Sequence, residues 1–156
     1  MRFLLALVLS ATFTATATCA QLTAGAAATD ITPPRGCPMA GYYSVRGAEG
    51  THDPLHAKAL VLGKDGTRVA LVALDLISTT RGLVEESRKL VEQQTGIPGR
   101  HVMISATHSH TGPVLWDGSP RADALGGGSD IAREYMKALP GKIAGVVKQE
   151  IGRAHV

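Results

Sequence analysis

The strongest hydrophobic pattern lies in the middle of the chain. Residues 68–77, RVALVALDLI, are apolar at nearly every position, as in a strand covered on both faces and central in its sheet. Just upstream, HAKALVLG gives a partner strand over residues 57–62, and KDGT at 64–67 separates the two with Asp65-Gly66, the signal of a tight hairpin. The period then changes. In residues 80–94, TRGLVEESRKLVEQQ, the apolar Leu83, Val84, Leu90 and Val91 fall on one side among charges, which predicts an amphipathic helix stopped by Gly96, Pro98 and Gly99. HVMIS at 101–105 returns to a short strand. Strand, helix and strand in that order predict a parallel pair with a right-handed crossover, and such a sheet has its sites beyond the carboxyl ends of its strands.

The flanks carry weaker signals. Residues 21–29 are small and polar and read as an exposed leader; Pro33-Pro34 then exclude helix, with Asp30 anchoring the turn before them. Residues 35–54 form a long loop punctuated by glycine, holding the pair Tyr42-Tyr43. Past residue 113, VLWDGSPRADALGGGSD reads as loop. Ser129-Asp130 then caps a last helix through Ile131, Tyr135, Leu139, Ile143 and Val146 or Val147, kinked or divided at Pro140-Gly141. The whole is an α/β chain with a mixed sheet and helices.

Composition narrows the class. At 156 residues with 44% hydrophobic and 19% charged content, the chain reads as one globular domain. The net charge of +3 is spread along the chain without a basic run, so no nucleic-acid partner is expected. Residues 1–20, MRFLLALVLSATFTATATCA, have the layout of a secretory signal peptide: Arg2, a short apolar stretch and a small-residue ending. A lipoprotein with Cys19 acylated is the alternative. Cleavage after Ala20 leaves Cys37 alone, which rules out an internal disulfide, and Cys37 reads as a small hydrophobe. No second apolar run reaches membrane-spanning length, and the mature chain is expected to be soluble and exported, to the periplasm or beyond.

Candidate chemistry concentrates in residues 104–113, ISATHSHTGP. Imidazole is the commonest neutral metal ligand, and His108 and His110, two apart on an extended segment, would emerge on one face. They could share a metal, or one could bind it while the other reaches a substrate; equally, both could be hydrogen-bonded loop residues, because H-x-H is a weak signal. His52 and Asp53 could supply a ligand or base, or start a turn before Pro54. Asp75, near the carboxyl end of the second strand, is a partner for a histidine or an anchor for a loop. Tyr42, Tyr43 and Trp116 either line a cleft or cover core.

Taken in order, AGAAATDITPPRGCPMAGY, THDPLHAKALVL, RVALVALDLI and VMISATHSHTGP resemble the opening of the neutral/alkaline non-lysosomal ceramidases, from Ala24 to Glu150. The resemblance implies the amino-terminal part of a larger α/β catalytic domain over residues 21–150, in an exported zinc amidase that cleaves ceramide to a sphingoid base and a fatty acid. It implies that His108 is a zinc ligand and that His110 lies beside the metal as a catalytic residue that binds substrate or stabilises charge on it. It further implies a lipid amide substrate, room for contact with a membrane surface, and a zinc site completed by a histidine, a glutamate and a tyrosine far downstream. Residues 151–156, IGRAHV, match one frame of a common sequencing-library adapter and read as a non-native tail, and the resemblance implies that the chain alone turns over nothing. Two other readings stay open: a secreted non-catalytic binding domain of the same fold, and a metal hydrolase acting on another acyl amide.

Overall fold

Asp65 and Gly66 have φ of +51° and +76°, so both central residues of the turn lie in the left-handed region that two-residue hairpins of the I′ kind require. The turn joins β2 (His56–Lys64) to β3 (Thr67–Leu74), antiparallel and in register from Lys64 opposite Thr67 to Ala57 opposite Leu74. In the computed structural model, which describes residues 21–151, these two strands are the interior of a four-stranded mixed sheet ordered β1-β2-β3-β4. The expectations for residues 1–20 and for the tail past Ile151 lie outside the described residues. The helix α1 (Arg81–Thr95) follows β3; it is capped by the Thr80 hydroxyl, which accepts from Leu83 N at 3.2 Å, and ended by Gly96 at φ +73°. After a 3₁₀ turn at Gly99–His101, β4 (Val102–Ala106) runs parallel to β3, as the strand-helix-strand order requires.

Residues 21–29 are not a leader. Thr23–Asp30 forms β1, antiparallel to β2 from Thr23 opposite Gly63 to Asp30 opposite His56. Its small side chains are what the packing needs: a Cβ placed on Gly25 would lie 2.8 Å from Glu150 Oε2, so Gly25 lets the end of the last helix close on the strand. The stretch after residue 113 is also not all loop. A short helix, α2 (Pro120–Ala124), is capped by Ser119, whose hydroxyl accepts from Ala122 N at 3.1 Å. The final helix, α3 (Asp130–Ile151), continues through Pro140 without dividing. Ser129 begins it with its carbonyl, which accepts from Arg133 N at 3.0 Å, while its hydroxyl donates to Gly126 O.

The core lies between one face of the sheet and the helices α1 and α3. Alternation sends Ala57, Ala59 and Val61 of β2, Ala70, Val72 and Leu74 of β3, and Val102 of β4 against Leu83 and Val91 of α1 and Leu139, Ile143 and Val147 of α3. Polar ties fix the layers: Tyr135 Oη donates to Ile31 O at 2.7 Å and Arg88 Nε to Val102 O at 2.9 Å.

Among the described residues, β3 is covered on one face only. The other carries a row of four residues in register, Ala26, Leu60, Leu71 and Met103, one from each strand, and forms the floor of an open groove of about 660 Å³. Cys37 is fully buried, as its reading as a small hydrophobe requires.

Two measurements test this core. Leu74 is fully buried, and Leu74→Ala should cost ~2–5 kcal/mol in urea unfolding. Burial pushes the Cys37 thiol up from 9.0 to about 11. The folded state therefore holds its proton where the unfolded chain does not, and the contribution of Cys37 to stability is complete below pH 9.0 and lost as pH rises toward about 11. Alkylation at pH 8 should be slow in the folded chain and fast in urea; equal rates would contradict the burial.

Candidate functional site

Beyond the sheet, the parallel strands stay paired through their exits. Leu74 O accepts from Thr107 N at 2.9 Å, and Leu76 O accepts from Ser109 N at 3.0 Å. Between those two bonds stands His108 at φ +65°, one of two non-glycine residues in the left-handed region among the described residues. That conformation costs about 1 kcal/mol or more, and three hydrogen bonds around it hold it in place. The third comes from the ring itself: His108 Nδ1 lies 2.9 Å from Ile77 O. A carbonyl only accepts, so Nδ1 carries a proton, and in the neutral ring that leaves the lone pair on Nε2, the tautomer of a histidine that ligates a metal through Nε2.

His110 is seated by a residue far away in sequence. Gly41, at φ +93°, leaves space that a Cβ would fill only 2.6 Å from His110 Nδ1. The backbone around it is clamped: Ala40 N donates to Gly112 O and Val114 N to Pro38 O, both at 2.8 Å, and Met39 bridges Pro113. Gly112 permits a close, though less tight, approach to the exit of β3, since a Cβ there would lie 3.2 Å from Asp75 O. The two imidazoles end 5.0 Å apart, edge to face at 75°.

They reach one place, though not by the extended i, i+2 alternation expected from the sequence. The left-handed turn at His108 redirects the chain, and His110 is placed by the glycine beneath it. Both rings are exposed and line one cleft of about 490 Å³, together with Tyr42, Tyr43, Asp117 and Arg121, over an apolar floor that includes Ile77 and Val114. Asp117 accepts from Ser119 N at 2.8 Å, and those bonds from Ser119 hold its carboxyl below the usual range.

The remaining candidates separate. Asp75 is the anchor and its bonds go to a backbone and a lysine, not to an imidazole: it accepts from the main-chain N of His56 at 3.0 Å and pairs with Lys58 Nζ at 3.1 Å. Asp30 accepts from Thr32 N at 2.6 Å, which makes the turn before the prolines and lowers its pKa. His52 and Asp53 line a different cleft with Pro54 and Thr111. Trp116 packs on the small cluster of Ala40, Val114 and Ala122, with Arg133 over its ring at 5.8 Å. Gly41, the Ile77 carbonyl, Asp117 and Arg121 were not singled out from sequence. Positive-φ glycine is legible only as a loop signal, and Ser119-Pro120 is a cap signal that a loop-rich stretch obscures.

The donor set suits zinc in kind and not in number. Two imidazoles are present, whereas a catalytic zinc takes three protein ligands and an open position. Among the described residues, no three His, Cys, Asp or Glu side chains converge.

Gly41→Ala tests the seat of His110. It should destabilise the chain by ~1–3 kcal/mol and shift the His110 ring resonances in long-range ¹H–¹⁵N spectra while leaving those of His52 in place. Unmoved His110 resonances would show that the glycine does not set the ring.

No family model and no curated protein matches the chain. Solved structures do. Neutral ceramidase from Pseudomonas aeruginosa superposes with a TM-score of 0.72 at 22% identity, covering 84% of this chain and 21% of that one. A ceramidase complexed with C2 gives a TM-score of 0.72 at 21% identity over the same shares. The described residues thus have the fold of one portion of neutral ceramidase, and the chain spans about a fifth of the length of those proteins.

Proposed function

We propose that the chain is the histidine-bearing part of an exported, zinc-dependent amidohydrolase that cleaves the N-acyl amide of ceramide to sphingosine and a fatty acid. The observation that carries the reading is His108: strained, exposed at the end of a parallel pair of strands, and with Nδ1–H committed to Ile77 O so that Nε2 is left as a donor. The likeness of fold to neutral ceramidase supports the reaction class.

His108 would hold the metal through Nε2, with further protein ligands from outside the described residues. A zinc ion bound there would supply Lewis-acid polarisation of the amide carbonyl and a nucleophilic water near neutral pH. This chain's own contribution is placement. His110, 5.0 Å from His108 ring to ring, donates to the oxygen on which charge develops. The apolar floor of the cleft, with Ile77 and Val114 among its residues, offers contact surface for the apolar part of the substrate. As the C–N bond breaks, the acyl carbon takes the water's hydroxyl and the departing amine takes the proton. Residues 1–20 would direct export and then be removed.

A second reading, a non-catalytic binding domain of the same fold, is favoured by one observation: among the described residues no three His, Cys, Asp or Glu side chains are placed to hold a metal ion.

Zinc titration by calorimetry separates the two. The chain should bind one zinc weakly, and His108→Ala should lower the affinity by at least the ~10–100-fold that loss of a supporting partner of a metal ligand costs. Zinc binding unchanged by His108→Ala would remove the metal site from this chain, and no hydrolysis of N-acyl-sphingosine by a longer protein that carries the chain would refute the amidohydrolase reading.

A further inference from the structure

The loop between Pro38 and Ala48 is a built projection. Its base is a narrow antiparallel ribbon: Met39 N donates to Arg46 O at 2.7 Å, Ala48 N to Cys37 O at 2.9 Å, and Gly36 N to Ala48 O at 2.8 Å. Cys37 is fully buried, so the ribbon is rooted in the core. Its tip, Gly41 to Arg46, reaches the rim of the histidine cleft, where Tyr42 and Tyr43 are among the lining residues.

What the tip shows to solvent is unusual for a water-facing turn. Tyr43 is fully exposed at 101% and Val45 is exposed at 57%. Arg46 lies over the Tyr42 ring at 4.3 Å, which holds its guanidinium at the edge of this apolar surface. From Pro38 to Ala48 the sequence PMAGYYSVRGA contains no acidic residue. Tyrosine with an apolar body and a polar end, a small aliphatic side chain and an arginine make up the residue set that partitions into the headgroup region of a bilayer.

We propose that the 41–46 tip is an interfacial anchor that seats the mouth of the histidine cleft on a lipid surface bearing anionic headgroups. Tyr43 and Val45 enter the headgroup region, and Arg46 meets a phosphate. The proposal rests on the lipid-amide reading for its purpose: a substrate that resides in a bilayer has to be met at its surface. Its geometry does not need zinc.

The test is co-sedimentation of the full chain with phosphatidylcholine vesicles, with and without phosphatidylserine, all lacking ceramide. The chain should bind the anionic vesicles more tightly. Tyr43→Ser combined with Val45→Ser should lower the partition coefficient about tenfold, the loss expected from two small apolar burials. Both positions are exposed, so the double variant should melt as the parent does. Met103→Ser, on the open sheet face, is the control for adsorption through that surface and should leave partitioning unchanged. Absent binding, binding unaffected by the double variant, or binding lost in Met103→Ser instead would each overturn the proposal. Zinc titration of His108→Ala reads the amidohydrolase assignment separately, so either can fail alone.

Discussion

Everything at the site depends on two carbonyls that go on accepting after the sheet has ended. Leu74 O and Leu76 O take the amides of Thr107 and Ser109, so the exits of β3 and β4 leave the sheet as a pair. Residue 108 is confined between those bonds and is left no relaxed conformation; it turns left-handed, and its ring finds the next carbonyl along, that of Ile77. Strain, tautomer and orientation therefore have one origin in backbone pairing. The core supplies the rigidity behind it, because Leu74 and Leu76 are themselves fully buried.

A second constraint crosses the chain. The glycine-punctuated loop and the histidine segment are far apart in sequence, yet they bridge at Met39 and Pro113 and meet at the bare Cα of Gly41 under His110. The loop is thus part of the site's framework as well as one wall of its cleft. Because its other end is the projecting ribbon, the side chains at the rim and the ring of His110 share a rigid support.

How much of this the sequence disclosed follows from which interactions have a short-range signature. Asp65-Gly66 sets its own turn, Thr80 caps its own helix, and the apolar run of β3 marks an interior strand; each was legible. The location of His108 and His110 beyond a parallel pair was legible too, from element order alone. β1 was not, because TAGAAATD has no hydrophobic signature: it is a strand by virtue of its partner, and its smallness serves the approach of α3. The left-handed turn at His108 and the seat at Gly41 were hidden for the same reason, being set by neighbours dozens of residues away. Of the kink or division expected at Pro140, division does not occur, since packing of α3 along the sheet and α1 carries the helix through it.

The bare row of Ala26, Leu60, Leu71 and Met103 has a thermodynamic corollary. A sheet sheltered on one side only releases less structured water when it forms than a sheet enclosed on both, so this chain should unfold with a smaller heat-capacity increment per residue than a fully layered domain of its size. Its stability would then vary gently with temperature, with a flat maximum and a broad melting transition. Whatever covers that side would sharpen the transition by adding to the apolar surface that heating must re-expose.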